Sequence, residues 1–269
     1  MKGRILSFLV IWTVFLALVL TLHNIGGFIL LLVATISTQL EFYKLLQKMG
    51  YHPMSKLSTA LGALMMAASF CFPGNGMDSL YVSVLVISLT VLLTRGTNRP
   101  FEGIASSLLG MCLIAYPFSY LCLVLAYFPD KWEGILLCIW LIAVAKFTDV
   151  GALLCGLAFG KHKMAPTLSP KKTWEGAIGG VLSSMLIAAL FTWAIPGLPE
   201  TLTVGMSALM AIPVSILAIF ADLLESALKR QAGVKDSGAI FPGIGGAFDL
   251  TDSLMLTAPL GYYLFFHLL

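Results

Sequence analysis

Long apolar stretches interrupted by short polar ones set the pattern of this chain. The apolar runs fall at about 5–22, 25–46, 56–72, 78–94, 103–128, 133–159, 176–195, 202–222 and 252–268. A lipid hydrocarbon core takes about 17–25 helical residues to cross, so the pattern predicts an all-α polytopic membrane protein with about nine transmembrane helices. The runs are continuous where a membrane β-barrel would alternate apolar and polar residues, which excludes that alternative. Phe72-Pro73-Gly74-Asn75-Gly76 and Pro196-Gly197-Leu198-Pro199 read as turns between spans. Pro117, inside the long fifth run, predicts a local irregularity there. The first run, behind Lys2 and Arg4, is longer than a signal-peptide core, and His23-Asn24-Ile25-Gly26 is not a small-residue cleavage site, so it is kept as a span. We divide the chain into residues 1–100 (helices 1–4), 101–132 (helix 5 and its loops) and 133–269 (helices 6–9, the expected catalytic region).

Charge orients this arrangement. Of the sixteen Lys and Arg residues, only Lys131 falls outside and Lys146 within a helix when the N-terminus is placed inside. So one-sided a distribution predicts a cytoplasmic N-terminus and an outer C-terminus. The net charge of +3 therefore reflects membrane orientation and carries no nucleic-acid signal. The 59% hydrophobic content lies above the roughly 45–50% of soluble domains. Cys71, Cys112, Cys122, Cys138 and Cys155 lack metal-ligand or redox spacing and read as small core residues.

Against this background each polar interruption needs a reason. Glu41, Lys44 and Lys48 at the end of the second run read as interface pairing. Arg95 and Arg99 read first as topology anchors, with an anionic ligand as a second role. Lys146 and Asp149 are spaced i, i+3 in an otherwise apolar run and are expected to pair, although intramembrane ionisable residues are by default candidates for function. Gly156 and Gly160 form a GxxxG packing signal. Lys161, His162, Lys163, Lys171 and Lys172 follow, and Ser169-Pro170-Lys171-Lys172-Thr173 leads into a helix beginning near Trp174. A helix N-terminus flanked by lysines is a plausible phosphate cradle.

The densest polar stretch runs from Ala221 to Asp252, in a chain that is only 11% charged. Asp222, Ser226 and Lys229/Arg230 fall on one helical face at i, i+4 and i+7/i+8. Lys235 and Asp236 lie in the following loop, which ends in Pro242-Gly243-Ile244-Gly245-Gly246, where backbone approaches a ligand closely. Asp249 and Asp252 are expected to open the last helix at i, i+3 and to face the same way. Carboxylate oxygens beside cations and a Gly-rich loop suit Mg²⁺-bound phosphate chemistry.

This segment resembles the phosphatidate cytidylyltransferase (CDP-diacylglycerol synthase) family, whose motif has the form S-x-x-K-R-x(4)-K-D, then H-G-G-x-x-D-R-x-D. Ser226, Lys229, Arg230, Lys235, Asp236, Gly245, Gly246, Asp249 and Asp252 match it, whereas Ile244 stands at the motif histidine and Leu250 at its second arginine. Ser169 to Gly176 and Asp149-Val150-Gly151-Ala152 look like further family blocks. The resemblance implies transfer of a cytidylyl group from CTP to phosphatidic acid, giving CDP-diacylglycerol and pyrophosphate with Mg²⁺ as cofactor. It assigns Asp222, Asp249 and Asp252 to metal, and these with Ser226 to catalysis. Lys171, Lys172, Lys229, Arg230, Lys235, Asp236, Gly245, Gly246 and Asp149 fall to substrate binding. The expected setting is the bacterial cytoplasmic membrane with the site facing the cytoplasm, and a homodimer is a family expectation. A CTP-dependent polyprenol kinase is the nearest alternative, and a secondary transporter of an organic anion a more distant one that would call for matched broken helices in two halves.

Overall fold

The computed structural model describes residue 13 and residues 16–73, 76–95, 100–128, 131–238 and 245–269. Residues 16–22 are helical, and the rest of the first predicted span lies outside the described residues, apart from helical residue 13. Ten further helices follow: α1 (Asn24–Lys48), α2 (Ser55–Cys71), α3 (Gly76–Arg95), α4 (Pro100–Gly110), α5 (Tyr116–Tyr127), α6 (Lys131–Phe159), α7 (Trp174–Ala194), α8 (Val204–Gln231), α9 (Ala247–Thr251) and α10 (Leu254–Leu268). Strands β1 (Lys163–Ala165) and β2 (Ser169–Thr173) form an antiparallel hairpin between α6 and α7. Among the described residues, five stretches are long and apolar enough to cross a membrane: Asn24–Lys48, Pro100–Tyr127, Trp132–Phe159, Trp174–Ala194 and Val204–Gln231. Many of their large apolar side chains are exposed, Leu157 by 78% and Trp193 by 77%, as a surface solvated by lipid requires.

The chain forms two units. The first comprises residues 1–127 and 228–251. Its core holds Met65, Ile87, Val91, Met111 and Ala115, all buried. Just before Pro117 a π-helical turn, Met111–Ala115, joins α4 to α5. Proline lacks the N–H that would continue the ladder one turn back, and a wider turn absorbs the mismatch. Two long polar side chains pair in this apolar setting: Tyr43 Oη donates to the Ser107 carbonyl at 2.7 Å, and Gln39 Nε2 donates to Tyr43 Oη at 3.1 Å. Gly110 makes room for that tyrosine, since a Cβ there would lie 2.4 Å from the ring.

The second unit comprises residues 128–227 and 252–269. Its centre is the close packing of α6 on α7, which small residues permit. A Cβ added at Gly151 would come within 2.3 Å of the Ser183 Cβ, and one at Gly179 within 2.3 Å of the Cys155 side chain. Gly156 and Gly160 belong to the same contact, beside Thr173 and Gly176, so the GxxxG serves packing within the chain. Trp140 is fully buried, donates from Nε1 to Ser207 Oγ at 2.8 Å and meets Phe265 edge-on at 5.6 Å. All five cysteines are free; Cys122 and Cys138 are buried as expected of core residues, but Cys71 and Cys112 are exposed on helix surfaces.

As the polar face from Asp222 to Arg230 predicts, α8 continues past the apolar run to Gln231, because the polar stretch holds no helix breaker. The last span is interrupted: α9 ends at Thr251 and α10 starts at Leu254, leaving Asp252 and Ser253 between them. Asp249 and Asp252 thus do not share one continuous helix.

Candidate active site

In the second unit the polar side chains converge on the α6–α7 pair and α8. Asp222 on α8 pairs with Lys172, the penultimate residue of β2. One turn further along α8, Glu225 is 3% exposed, and Asp252 at the α9–α10 break is 4% exposed. One carboxylate oxygen from each of Asp222, Glu225 and Asp252 lies within 4.8 Å of the other two. Three hard anionic oxygens at that separation are a donor set suited to Mg²⁺. Asp222 and Asp252 were expected to bind metal; Glu225 was missed, although its i, i+3 spacing from Asp222 puts both on one face of the helix.

Lys146 and Asp149 form the i, i+3 ion pair expected of them, but Lys146 has a second and closer partner. Lys146 Nζ donates to Asp252 Oδ1 at 3.1 Å, whereas Asp149 Oδ2 is 3.9 Å away. The principal partner of Lys146 is therefore the carboxylate at the break, and Asp149 faces a cavity instead.

That cavity, of ≈ 560 Å³, is lined by Asp149, Lys163, Lys171, Lys172 and Asp222 on its polar side. Leu153, Leu157, Met164 and Ile219 supply apolar wall. The stretch Ser169–Thr173, read as a loop leading to a helix, is β2, and α7 begins at Trp174 as expected. Thr173 caps α7 by accepting from the Gly176 N–H at 3.1 Å. Glu175 accepts from the Lys161 N–H at 3.1 Å and the His162 N–H at 3.2 Å, and so ties the hairpin to the first turn of α7. Lys163 and Lys171 are exposed, while Lys172 is half-buried against Asp222. Ser226 on α8 is half-buried.

The remaining candidates lie in the first unit. Asp249 Oδ1 accepts from Lys229 Nζ at 2.9 Å. Its Oδ2 accepts from the Ser237 N–H at 3.2 Å, from Ser237 Oγ at 3.0 Å and from the Gly246 N–H at 2.9 Å. Arg230, Lys235 and Asp236 are exposed. Gly245 has φ +125°, a conformation that side chains rarely adopt, and so holds the backbone turn before Gly246. Ile244 and Arg99 lie outside the described residues, as does the side chain of Arg95. Glu41, expected at an interface in surface pairing, is buried at 2% exposure and accepts from the Phe248 N–H at 2.9 Å and from Ser237 Oγ at 3.0 Å.

Comparison with known proteins places this arrangement. A phosphatidate cytidylyltransferase of Staphylococcus saprophyticus is 31% identical over 271 residues, covering 97% of each chain. One of Staphylococcus aureus is 30% identical over 269 residues, again covering 97% of each. One of Synechocystis is 30% identical over 246 residues, covering 83% of this chain and 82% of that one. The family model described as "Cytidylyltransferase family" matches residues 2–268, nearly the entire sequence from the first predicted span to the last helix, and the chain belongs to that family.

Proposed function

We propose that the protein transfers the cytidylyl group of CTP to phosphatidic acid, forming CDP-diacylglycerol and releasing pyrophosphate. The observation that carries this reading is the cavity beside α6, where lysines and carboxylates share a wall with leucines of a membrane-length helix. A substrate with an anionic head and acyl chains fits such a surface, its phosphate at Lys163 and Lys171 and its chains along Leu153 and Leu157. The names of the relatives point to the same reaction. In it an oxygen of the phosphatidate phosphate forms a bond to the α-phosphorus of CTP while the bond to the β-phosphate oxygen breaks. The nucleophile is already an anion, so no strong base is required; the chain must position two phosphates and neutralise their charge.

Asp222, Glu225 and Asp252 would hold Mg²⁺, which when bound supplies charge neutralisation and polarises a phosphoryl oxygen. Lys172 orients Asp222, Lys146 orients Asp252, and exposed Lys163 and Lys171 attract phosphate oxygens. Ser226 keeps the catalytic role, and Lys229, Arg230, Lys235, Asp236, Gly245 and Gly246 the substrate roles, that the motif implies, and Asp149 lies on the polar side of the cavity. We further propose nine membrane crossings with a cytoplasmic N-terminus, supported by the nine apolar runs and by the one-sided lysines and arginines. The site then opens to the cytoplasm, where CTP is available. A homodimer remains a proposal, to be read from the mass of the purified protein.

The deciding experiment supplies purified protein with phosphatidic acid and labelled CTP and follows label into lipid. Lipid-linked cytidine is the expected product. In a parallel reaction with a polyprenol in place of phosphatidic acid, transfer of labelled γ-phosphate to the polyprenol, with no label entering lipid from phosphatidic acid, would replace this reading with the kinase.

A further inference from the structure

We propose that Glu41, on the N-terminal helix α1, is a positioning residue for the carboxylate of Asp249; the inference rests on the cytidylyltransferase reading. The two residues are joined through Ser237. Its Oγ lies 3.0 Å from Glu41 Oε2 and 3.0 Å from Asp249 Oδ2, so one hydroxyl sits between two carboxylates. Glu41 Oε2 also accepts from the Phe248 N–H, in the first turn of α9 and one residue from Asp249. Both sides of Asp249 are therefore referred to one side chain far away in sequence.

Steric fit points the same way. A Cβ at Gly238 would lie 2.1 Å from Glu41 Oε1, and one at Gly246 would lie 2.3 Å from Glu41 Oε2. The carboxylate fills a slot between two glycines, of which Gly246 is one that the motif assigns to substrate. Gly246 in turn donates its N–H to Asp249 at 2.9 Å. Stability alone is a poor reason for this choice of residue. Among the described residues Glu41 Oε1 is buried without a hydrogen-bond partner, and a buried carboxylate so incompletely satisfied is costly where an apolar residue of similar volume would not be. The carboxylate gives the segment a rigid, directional anchor, and a displaced functional group loses rate steeply with small errors of position.

Glu41→Leu keeps volume and removes the acceptor, whereas Glu41→Gln keeps an acceptor oxygen at the Oε2 position that both the Phe248 N–H and the Ser237 hydroxyl contact. Both variants and the wild type are purified in detergent and assayed with CTP and phosphatidic acid, and amide exchange is followed in peptides covering residues 245–251. Glu41→Leu is expected to lower kcat about tenfold or more with unchanged KM for both substrates, and to speed exchange in that peptide about tenfold. Glu41→Gln is expected to retain most of kcat and wild-type exchange, a rescue that packing alone does not explain. Folded Glu41→Leu with wild-type kcat and exchange overturns the proposal. Should Glu41→Leu not fold, Ser237→Ala decides, since it removes the bridge with little change of volume: lowered kcat supports the proposal, and wild-type kcat overturns it. A wild-type protein that labels no lipid overturns the cytidylyltransferase reading, and the exchange comparison then judges the hold of Glu41 by itself.

Discussion

Asp249 in the first unit accepts from Lys229 and from the backbone N–H groups of Ser237 and Gly246, and it shares the single proton of the Ser237 hydroxyl with Glu41. In the second unit Asp222, Glu225 and Asp252 bring three oxygens within 4.8 Å of one another, and Asp149 adds a fourth carboxyl group nearby, against Lys146 and Lys172. The first arrangement surrounds one carboxylate with donors and fixes its direction. The second gathers more acid than base, which a divalent cation would balance. One motif thus feeds two kinds of site, and substitutions at the two should fail in different ways.

The largest effect is expected at Asp222. Removing one of three anionic ligands forfeits several kcal/mol of charge stabilisation, so Asp222→Asn should lower kcat ~10²-fold or more. Half-saturation should also move to higher Mg²⁺ concentration. An Asp222→Asn protein that keeps the wild-type rate and Mg²⁺ response takes Asp222 out of the cation site.

Asp249→Asn should separate the two regions. The salt bridge with Lys229, with both side chains 16% exposed, gives Asp249 a structural part beside the role the motif implies for it. Losing a hydrogen bond to a charged partner costs about 1.5–3 kcal/mol, so this variant should lose thermal stability in detergent along with turnover. Adding Lys229→Met should restore stability without restoring turnover. If Asp249→Asn is as stable as the wild type, the Lys229 contact carries no weight, and the contrast between the two units is lost.

A smaller effect is expected from Lys172→Ala, which removes both the partner of Asp222 and a cation on the cavity wall. Loss of one charge-assisted phosphate contact should raise the KM for CTP by about tenfold. Unchanged kinetics for both substrates would make Lys172 a topology signal only.

How much of this was legible in the sequence depends on the range of the interaction. Apolar runs marked α1, α2 and α6 to α8 because membrane helices need only local composition. The polar face of α8 was legible from its 3.6-residue period, and the same period could have given Glu225. The hairpin at Ser169–Thr173 was hidden behind the helix that follows it, although Pro170 biases the residue before it toward extended backbone. The break at Asp252 and Ser253 has no proline or glycine to announce it. Glu41 could not be found at all: its contact with Ser237 spans 196 residues, and nothing around it in sequence distinguishes it from an interface carboxylate. The same limit paired Lys146 with its helical neighbour Asp149, since the alternative partner is 106 residues away.

That choice of partner gives the smallest measurable difference. Lys146 Nζ is 3.1 Å from Asp252 and 3.9 Å from Asp149, and Asp252 is 6% exposed in its side chain where Asp149 is 35% exposed. A closer and drier pair is less screened, so the coupling of Lys146 to Asp252 should exceed its coupling to Asp149. The double-mutant cycles use Lys146→Met with Asp252→Asn and with Asp149→Asn, and they read unfolding in detergent. The expected couplings are about 1–2 kcal/mol for Asp252 and about 0.5 kcal/mol for Asp149. A single change at Lys146 leaves the buried charge of Asp252 unpaired, which is why the cycle is needed to extract the pair. A larger coupling to Asp149 would return Lys146 to a local helical pair. Asp252 would then be available in full to the cation, while Asp222 would still be held by Lys172.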